Sequence, residues 1–189
     1  KLKNHFTQKG LPEIEISDIL ISRLFYELRI HPESARGTLL LVSSGDSGIG
    51  MATASNGQIL FCRQNHGGEL GHNICEPDGL PCACGRKGCL ETRASKKTVL
   101  EKVRTVKNDR NLSFEALTAL YQEGDRETVR EVNTAARFLG TAIANQVNNL
   151  LPDSLVLTGS MMNLGKGFHE ELKRVIYELA FPLASEALS

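Results

Sequence analysis

The chain lacks a charge surplus: 22 lysines and arginines offset 22 aspartates and glutamates over 189 residues. Gripping nucleic acid unaided needs a basic excess to neutralise phosphates, so this chain is not expected to do so. It also lacks a long apolar run. The longest is Leu39-Leu40-Leu41-Val42, far short of the ~18 residues that read as a membrane span. The opening Lys1-Leu2-Lys3-Asn4-His5 has neither the apolar core nor the small-residue cleavage site of a secretory signal, and no initiator methionine. The expectation is therefore a segment of a longer cytoplasmic protein. Internal repeats and low-complexity tracts are missing too. Disorder is excluded by composition, with 41% apolar against 23% charged residues. The length suits one domain or two small lobes, at roughly 100–200 residues per domain.

Cysteine is present but uneven. Of five, three fall in Cys82-Ala83-Cys84-Gly85-Arg86-Lys87-Gly88-Cys89, with His72 ten positions upstream. A secreted disulfide framework would spread an even count along the chain, whereas an odd cluster beside a histidine points to metal. Zinc in structural sites takes four ligands in a tetrahedron, and three cysteines with one histidine is a standard set. Thiolates one residue apart can reach one ion, and Gly85 and Gly88 permit the reversal that returns Cys89 to it. The alternatives are a redox-active thiol cluster or coincidental buried cysteines. Cys62 and Cys75 fit no ligand pattern and read as core or surface thiols.

The rest of the sequence alternates strand and helix signals. Lys1–Gly10 reads as the end of an amphipathic helix and Ile14–Ser17 as a short strand. Asp18 stands where an acidic side chain caps a helix carrying Leu20, Leu24 and Leu28, with Ile21 and Phe25 alongside, up to a break at Gly37. Thr38–Ser44 is β-rich, Gly45–Gly50 turns the chain into a strand over Met51–Ala54, and Asn56-Gly57 signals a hairpin into Gln58–Cys62. His66–Glu91 is rich in Gly, Pro and Cys and is not expected to be regular; a metal would supply its rigidity. Short helices follow over Ala94–Val106 and Ser113–Glu123, the latter capped by Ser113. A long helix from near Asp125 shows Val129, Val132, Ala136, Leu139, Ile143, Val147 and Leu150 at helical spacing. Pro152-Asp153 ends it, Ser154–Thr158 reads as a buried strand, and a last helix carries Phe168, Leu172, Val175 and Leu179. The fold class is α/β with a hairpin-bearing sheet.

Two acidic residues flank the metal motif: Glu69 three positions before His72, and Glu91 two after Cys89. A shared ion would bring them together, and carboxylates accept hydrogen bonds from adjacent hydroxyls of a polyhydroxylated ligand. Taken singly, each is as well read as a solvated acid at a loop end. Gly45–Gly50, with Gly48 and Gly50, and the later Gly159-Ser160 are weak candidates for a backbone phosphate cradle. Ordinary glycine turns account for them equally well.

Gly67-Gly68-Glu69-Leu70-Gly71-His72, followed by Cys82-Ala83-Cys84-Gly85-Arg86-Lys87-Gly88-Cys89-Leu90-Glu91, resembles the signature of the ROK family of sugar repressors and sugar kinases. Leu150-Leu151-Pro152-Asp153-Ser154-Leu155-Val156-Leu157-Thr158-Gly159 is similar to the family's late helix–strand–glycine segment. The resemblance covers essentially the whole chain. It implies part of a two-lobed actin-like or ribonuclease-H-like fold that binds a sugar between its lobes. Residues 1–37 would be the end of the amino-terminal lobe with an interlobe helix, and 38–189 the carboxy-terminal lobe with a zinc loop over 66–91. His72, Cys82, Cys84 and Cys89 would hold zinc, Glu69, His72 and Glu91 would flank the sugar, and Asp18 would join them in the place where the kinases keep a catalytic base.

Several positions depart from the kinase pattern. Asp18 is preceded by Ser17 where the kinases have Asn. Asp46-Ser47-Gly48-Ile49-Gly50-Met51-Ala52 replaces a glycine loop resembling Gly-Thr-Gly-Ile-Gly-Gly-Gly, with negative charge at Asp46 and bulk at Met51. The family's first phosphate loop and the repressors' helix-turn-helix lie outside the chain. The leading expectation is the effector-sensing portion of a bacterial repressor of the glucose or N-acetylglucosamine type, acting on DNA through a domain missing from this chain. The alternative is an ATP- and magnesium-dependent hexose or N-acetylhexosamine kinase; a third is a zinc-stabilised scaffold without ligand. A homo-oligomer is the family default.

Overall fold

The computed structural model describes residues 18–60, 67–186 and 188. The helix end and strand expected over 1–17, the end of the hairpin strand, Cys62 and His66 lie outside them. Among the described residues four strands form one sheet: β1 (Thr38–Gly45), β2 (Gly48–Ser55), β3 (Gln58–Leu60) and β4 (Ser154–Thr158), in the order β3-β2-β1-β4. β1 runs antiparallel to β2 and parallel to β4, pairing Leu41 with Ala52 on one side and Val156 on the other. Alternation along β1 buries both faces of the sheet. Leu39 and Leu41 pack against Ile21 and Leu24 of α1 (Ile19–Ile30). Leu40 and Val42 face the larger helical core.

That core is assembled by α2 (Glu91–Ala94), α3 (Lys96–Lys107), α4 (Phe114–Gln122), α5 (Arg126–Leu150), α6 (Lys166–Leu179) and α7 (Pro182–Glu186). The expected stripe on α5 is the one that is buried: Val132, Ala136, Leu139, Ile143 and Val147 are 0–1% exposed, with Val129 and Leu150 partly covered. Several helix starts carry side-chain caps. Asp18 accepts from the Leu20 N–H at 2.7 Å, Ser113 from Ala116 at 3.2 Å and Asp125 from Thr128 at 2.9 Å. Among the described residues no helix is long and apolar enough to cross a membrane.

Several elements differ from the sequence reading. α1 stops at Ile30 instead of running to Gly37, because Pro32 pushes His31 out of helical geometry and opens a 3₁₀ turn over Pro32–Ala35. Phe25, expected beside the apolar stripe, is 55% exposed. Helix α3 starts at Lys96, not Ala94, since Ser95 interrupts and caps it, accepting from the Thr98 N–H at 3.2 Å. β4 is half-buried throughout rather than buried; among the described residues it has β1 alone beside it. The glycine segment Gly45–Gly50 is mostly strand: β1 reaches Gly45, β2 begins at Gly48, and only Asp46-Ser47 turns.

Candidate functional site

The metal motif folds as a compact loop tied to itself by backbone bonds. The Cys82 N–H donates to the Arg86 carbonyl at 2.8 Å, and the Gly88 N–H to that of Leu80 at 2.9 Å. Gly85 and Gly88 take φ of 89° and 70°, the left-handed conformation that the reversal towards Cys89 requires. The ligand atoms of His72, Cys82, Cys84 and Cys89 all lie within 4.8 Å of one another. His72 Nδ1 is 3.7 Å from Cys82 Sγ, and Cys84 Sγ is 3.6 Å from Cys89 Sγ. Tetrahedral zinc with Zn–S bonds of about 2.3 Å separates its ligand atoms by about 3.8 Å, so the set fits such an ion.

The electrostatics agree with that fit. Cys84 is lowered to about 6, first by the Arg86 backbone N–H and then by its guanidinium. Cys89 is fully buried, and loss of solvation pushes its thiol up to about 12. Ionising that thiol needs a nearby cation, which is what a metal supplies. Arg86 also donates from Nη2 to the His72 carbonyl at 2.9 Å, fixing the histidine's backbone from across the loop. Cys75 stands outside the set, half-buried, its Sγ 3.4 Å from the Gly88 carbonyl.

His72 joins this centre to the acidic residues. Its Nε2 is 4.0 Å from Glu69 Oε2, and its Nδ1 3.8 Å from Glu91 Oε2. One ring nitrogen thus faces the thiols and Glu91 while the other faces Glu69. Glu91 begins α2 and leans on β2: a Cβ on Gly48 would lie 2.8 Å from its Oε1. Glu69 in turn lines a cleft of about 620 Å³ between α1 and the sheet ends, together with Asp18, Asp46, Gly48, Gly50 and Gly159. Asp18, Glu69 and the three glycines named from the sequence therefore share one cavity. His72 and Glu91 do not line it: His72 lines a neighbouring cavity of about 1060 Å³ with Glu69, and Glu91 another of about 970 Å³ with Asp46 and Gly48. Loop and sheet are joined by paired bonds between Met51 and Gly68, of 2.9 and 2.7 Å.

The chain as a sequence gave no hint of two further participants. Lys96 Nζ is 2.7 Å from Asp46 Oδ1 and 4.4 Å from the centre of the Phe114 ring. That ammonium holds the Asp46 carboxyl below its ordinary range, so the turn carries an ionised carboxylate with its own counter-charge. Fifty residues separate the pair, and no local pattern links them. The guanidinium of Arg93 binds Glu76, with Nε–Oε2 at 2.8 Å, and anchors the metal loop to α2.

The family model described as "ROK family" matches residues 33–187. The chain belongs to the ROK family. Over 155 residues it is 30% identical to a putative xylose repressor of Caldicellulosiruptor sp., covering 76% of this chain and 39% of that protein. It is 29% identical over 163 residues to a glucokinase of Halalkalibacterium halodurans, covering 78% and 49%. Among solved structures, a ROK family transcriptional regulator described as a homolog of the E. coli MLC protein superposes with a TM-score of 0.83 at 27% identity, over 98% of this chain and 48% of that one. A ROK hexokinase from Thermus thermophilus does so with a TM-score of 0.80 at 27% identity, over 94% and 61%. The α/β fold is thus that of ROK kinases and regulators, and the chain spans less than half the length of these two curated relatives.

Proposed function

We propose that the chain is the effector-sensing portion of a ROK transcriptional regulator, which binds a sugar or amino sugar and alters DNA affinity in a segment outside this chain. His72, Cys82, Cys84 and Cys89 hold a structural zinc ion that stiffens the loop; with four protein ligands it keeps no open position for chemistry. Asp18, Glu69, His72 and Glu91 form the sugar site, the carboxylates accepting hydroxyl hydrogen bonds and the imidazole serving the metal through Nδ1 and the ligand side through Nε2. The regulator is read as cytoplasmic and homo-oligomeric.

The observation that carries the regulator reading is the ionised Asp46 at the turn lining the cleft. A kinase needs donors and cations around the transferred phosphoryl group. Here a carboxylate occupies the turn, and its partner Lys96 is committed to it at 2.7 Å. Asp18 favours a second reading: it lines the same cleft as the glycine turns, where it would act as general base of an ATP- and magnesium-dependent sugar kinase.

The full-length parent separates the two. It is expected to show no sugar-dependent ATP turnover above background, and sugar-sensitive binding to DNA from its own promoter region. Turnover at about 1 per second or faster would overturn the regulator reading and make Asp18 the base. Glu69→Ala should abolish sugar binding in titration calorimetry; unchanged affinity for every sugar that binds would remove Glu69 from the site.

A further inference from the structure

We infer that Cys84 and Cys89 are a modification site for hydroperoxides: the oxidant takes the exposed Cys84 sulfur first, and Cys89 resolves it into a disulfide. Only the consequence for the metal rests on the zinc reading. Access within the cluster is uneven. Cys84 is exposed, Cys82 is half-buried and Cys89 is 0% exposed. A small oxidant in solution therefore meets Cys84 and is kept from Cys89. The two sulfurs are 3.6 Å apart, so closing to a disulfide bond of about 2.05 Å asks for a shift of about 1.5 Å. The loop is built to make that shift from one side. Cys89 is held by a bridge to Ile74 and by the Leu90 N–H donating to the Asn73 carbonyl at 2.9 Å. Cys84 instead sits on a solvent-facing turn, where a Cβ added to Gly85 would meet nothing within 4 Å. Cys82 is the poorer partner: its N–H is bound to the Arg86 carbonyl, its Sγ lies 3.7 Å from His72 Nδ1, and with one residue between it and Cys84 the ring would be small and strained.

The chemistry balances with the hydroperoxide as sole oxidant. The Cys84 thiolate attacks one peroxide oxygen, so that an S–O bond forms and the O–O bond breaks. The departing hydroxide takes a proton from solvent and leaves as water, with Cys84 now a sulfenic acid. The Cys89 thiolate then attacks the Cys84 sulfur, forming the S–S bond and breaking the S–O bond. That second hydroxide also takes a solvent proton and leaves as water. Two thiolates have lost two electrons and the peroxide has gained them. Both sulfurs leave the donor set, so His72 and Cys82 alone remain of the four ligand residues and the zinc ion is released.

Hydrogen peroxide added to the reduced full-length parent tests this, with a chromogenic chelator reading released zinc and non-reducing peptide mapping by mass spectrometry reading the cysteines. A Cys84–Cys89 cross-link should form, its peptide lighter by about 2 Da, with zinc released in step and both changes reversed by dithiothreitol. Dimedone present during the oxidation should label Cys84 and leave Cys89 unlabelled. Cys75→Ser should change none of this. Label on Cys89, a cross-link to any other cysteine, irreversible oxidation of Cys84 without a cross-link, or thiols untouched by peroxide that oxidises free cysteine each overturn the inference. A cross-link in protein that held no zinc when reduced keeps the thiol pair and removes the zinc reading.

Discussion

Asp125 concentrates three roles in one carboxylate. It caps α5 through the Thr128 N–H at 2.9 Å, accepts from the Thr128 hydroxyl at 2.7 Å and pairs with Lys107 Nζ at 2.7 Å. The Lys107 ammonium, then the Thr128 hydroxyl, hold its carboxyl down to about 2. A group more acidic folded than unfolded adds stability above its unfolded value of about 3.9, and that stability is lost as pH falls towards the folded value. Asp125→Ala should therefore lower the melting temperature at neutral pH. The gap to wild type should close between about pH 4 and pH 2. Melts across that range check it; a gap independent of pH would leave the cap but not the ion pair. Lys107 is also 2.9 Å from Glu127, so Glu127→Ala is the natural control for the neighbouring charge.

At the scale of elements, the metal loop and α5 are stabilised by different means. Between Glu69 and Leu90 the only helical piece is the 3₁₀ turn Leu70–His72, and Cys89 and Leu90 are its deepest anchors. On the zinc reading, ligand bonds would substitute there for a larger apolar core. Elemental analysis of protein purified without added metal should find about one zinc per chain, as a single four-ligand site requires, falling sharply in Cys84→Ser. Chelation should speed amide exchange across residues 72–89 while α5 stays protected. A metal-free wild type with a fully protected loop would sink the zinc assignment. Helix α5 relies on burial instead. Leu139 is 1% exposed within the main core, so Leu139→Ala should cost about 2–5 kcal/mol in denaturant unfolding. A cost below about 1 kcal/mol would mean that the site collapses to refill the space.

At the scale of the molecule, the central strand β1 sets the layout. With α1 on one face and the helical core on the other, its carboxy-terminal end meets the Asp46-Ser47 turn and the Gly159 end of β4 at one rim. The ends of strands, where turns leave the sheet, are the usual place for a ligand in α/β folds. The rim faces the start of α1, which brings Asp18 to Glu69 across 51 positions of sequence. The same packing makes Asp46 and Lys96 partners and commits both before any ligand enters.

Much of this was legible in the sequence because its causes are local. The Cys-x-Cys spacing with two glycines brought Cys82, Cys84 and Cys89 into one cluster with His72 that could hold a metal, helical periodicity determined the buried stripe of α5, and Ser113, Asp18 and Asp125 marked helix starts through hydrogen bonds to residues two or three positions on. What required the tertiary structure was long-range. Only packing could show that β4 has a single strand beside it among the described residues, since a run of Leu and Val has the same pattern with one neighbour or two. Only packing could pair Lys96 with Asp46, or place Arg86 on the His72 carbonyl. Charge and hydrogen-bond partners distant in sequence leave no period to read. They are decided when the sheet, the loop and α3 come within a few ångströms of one another.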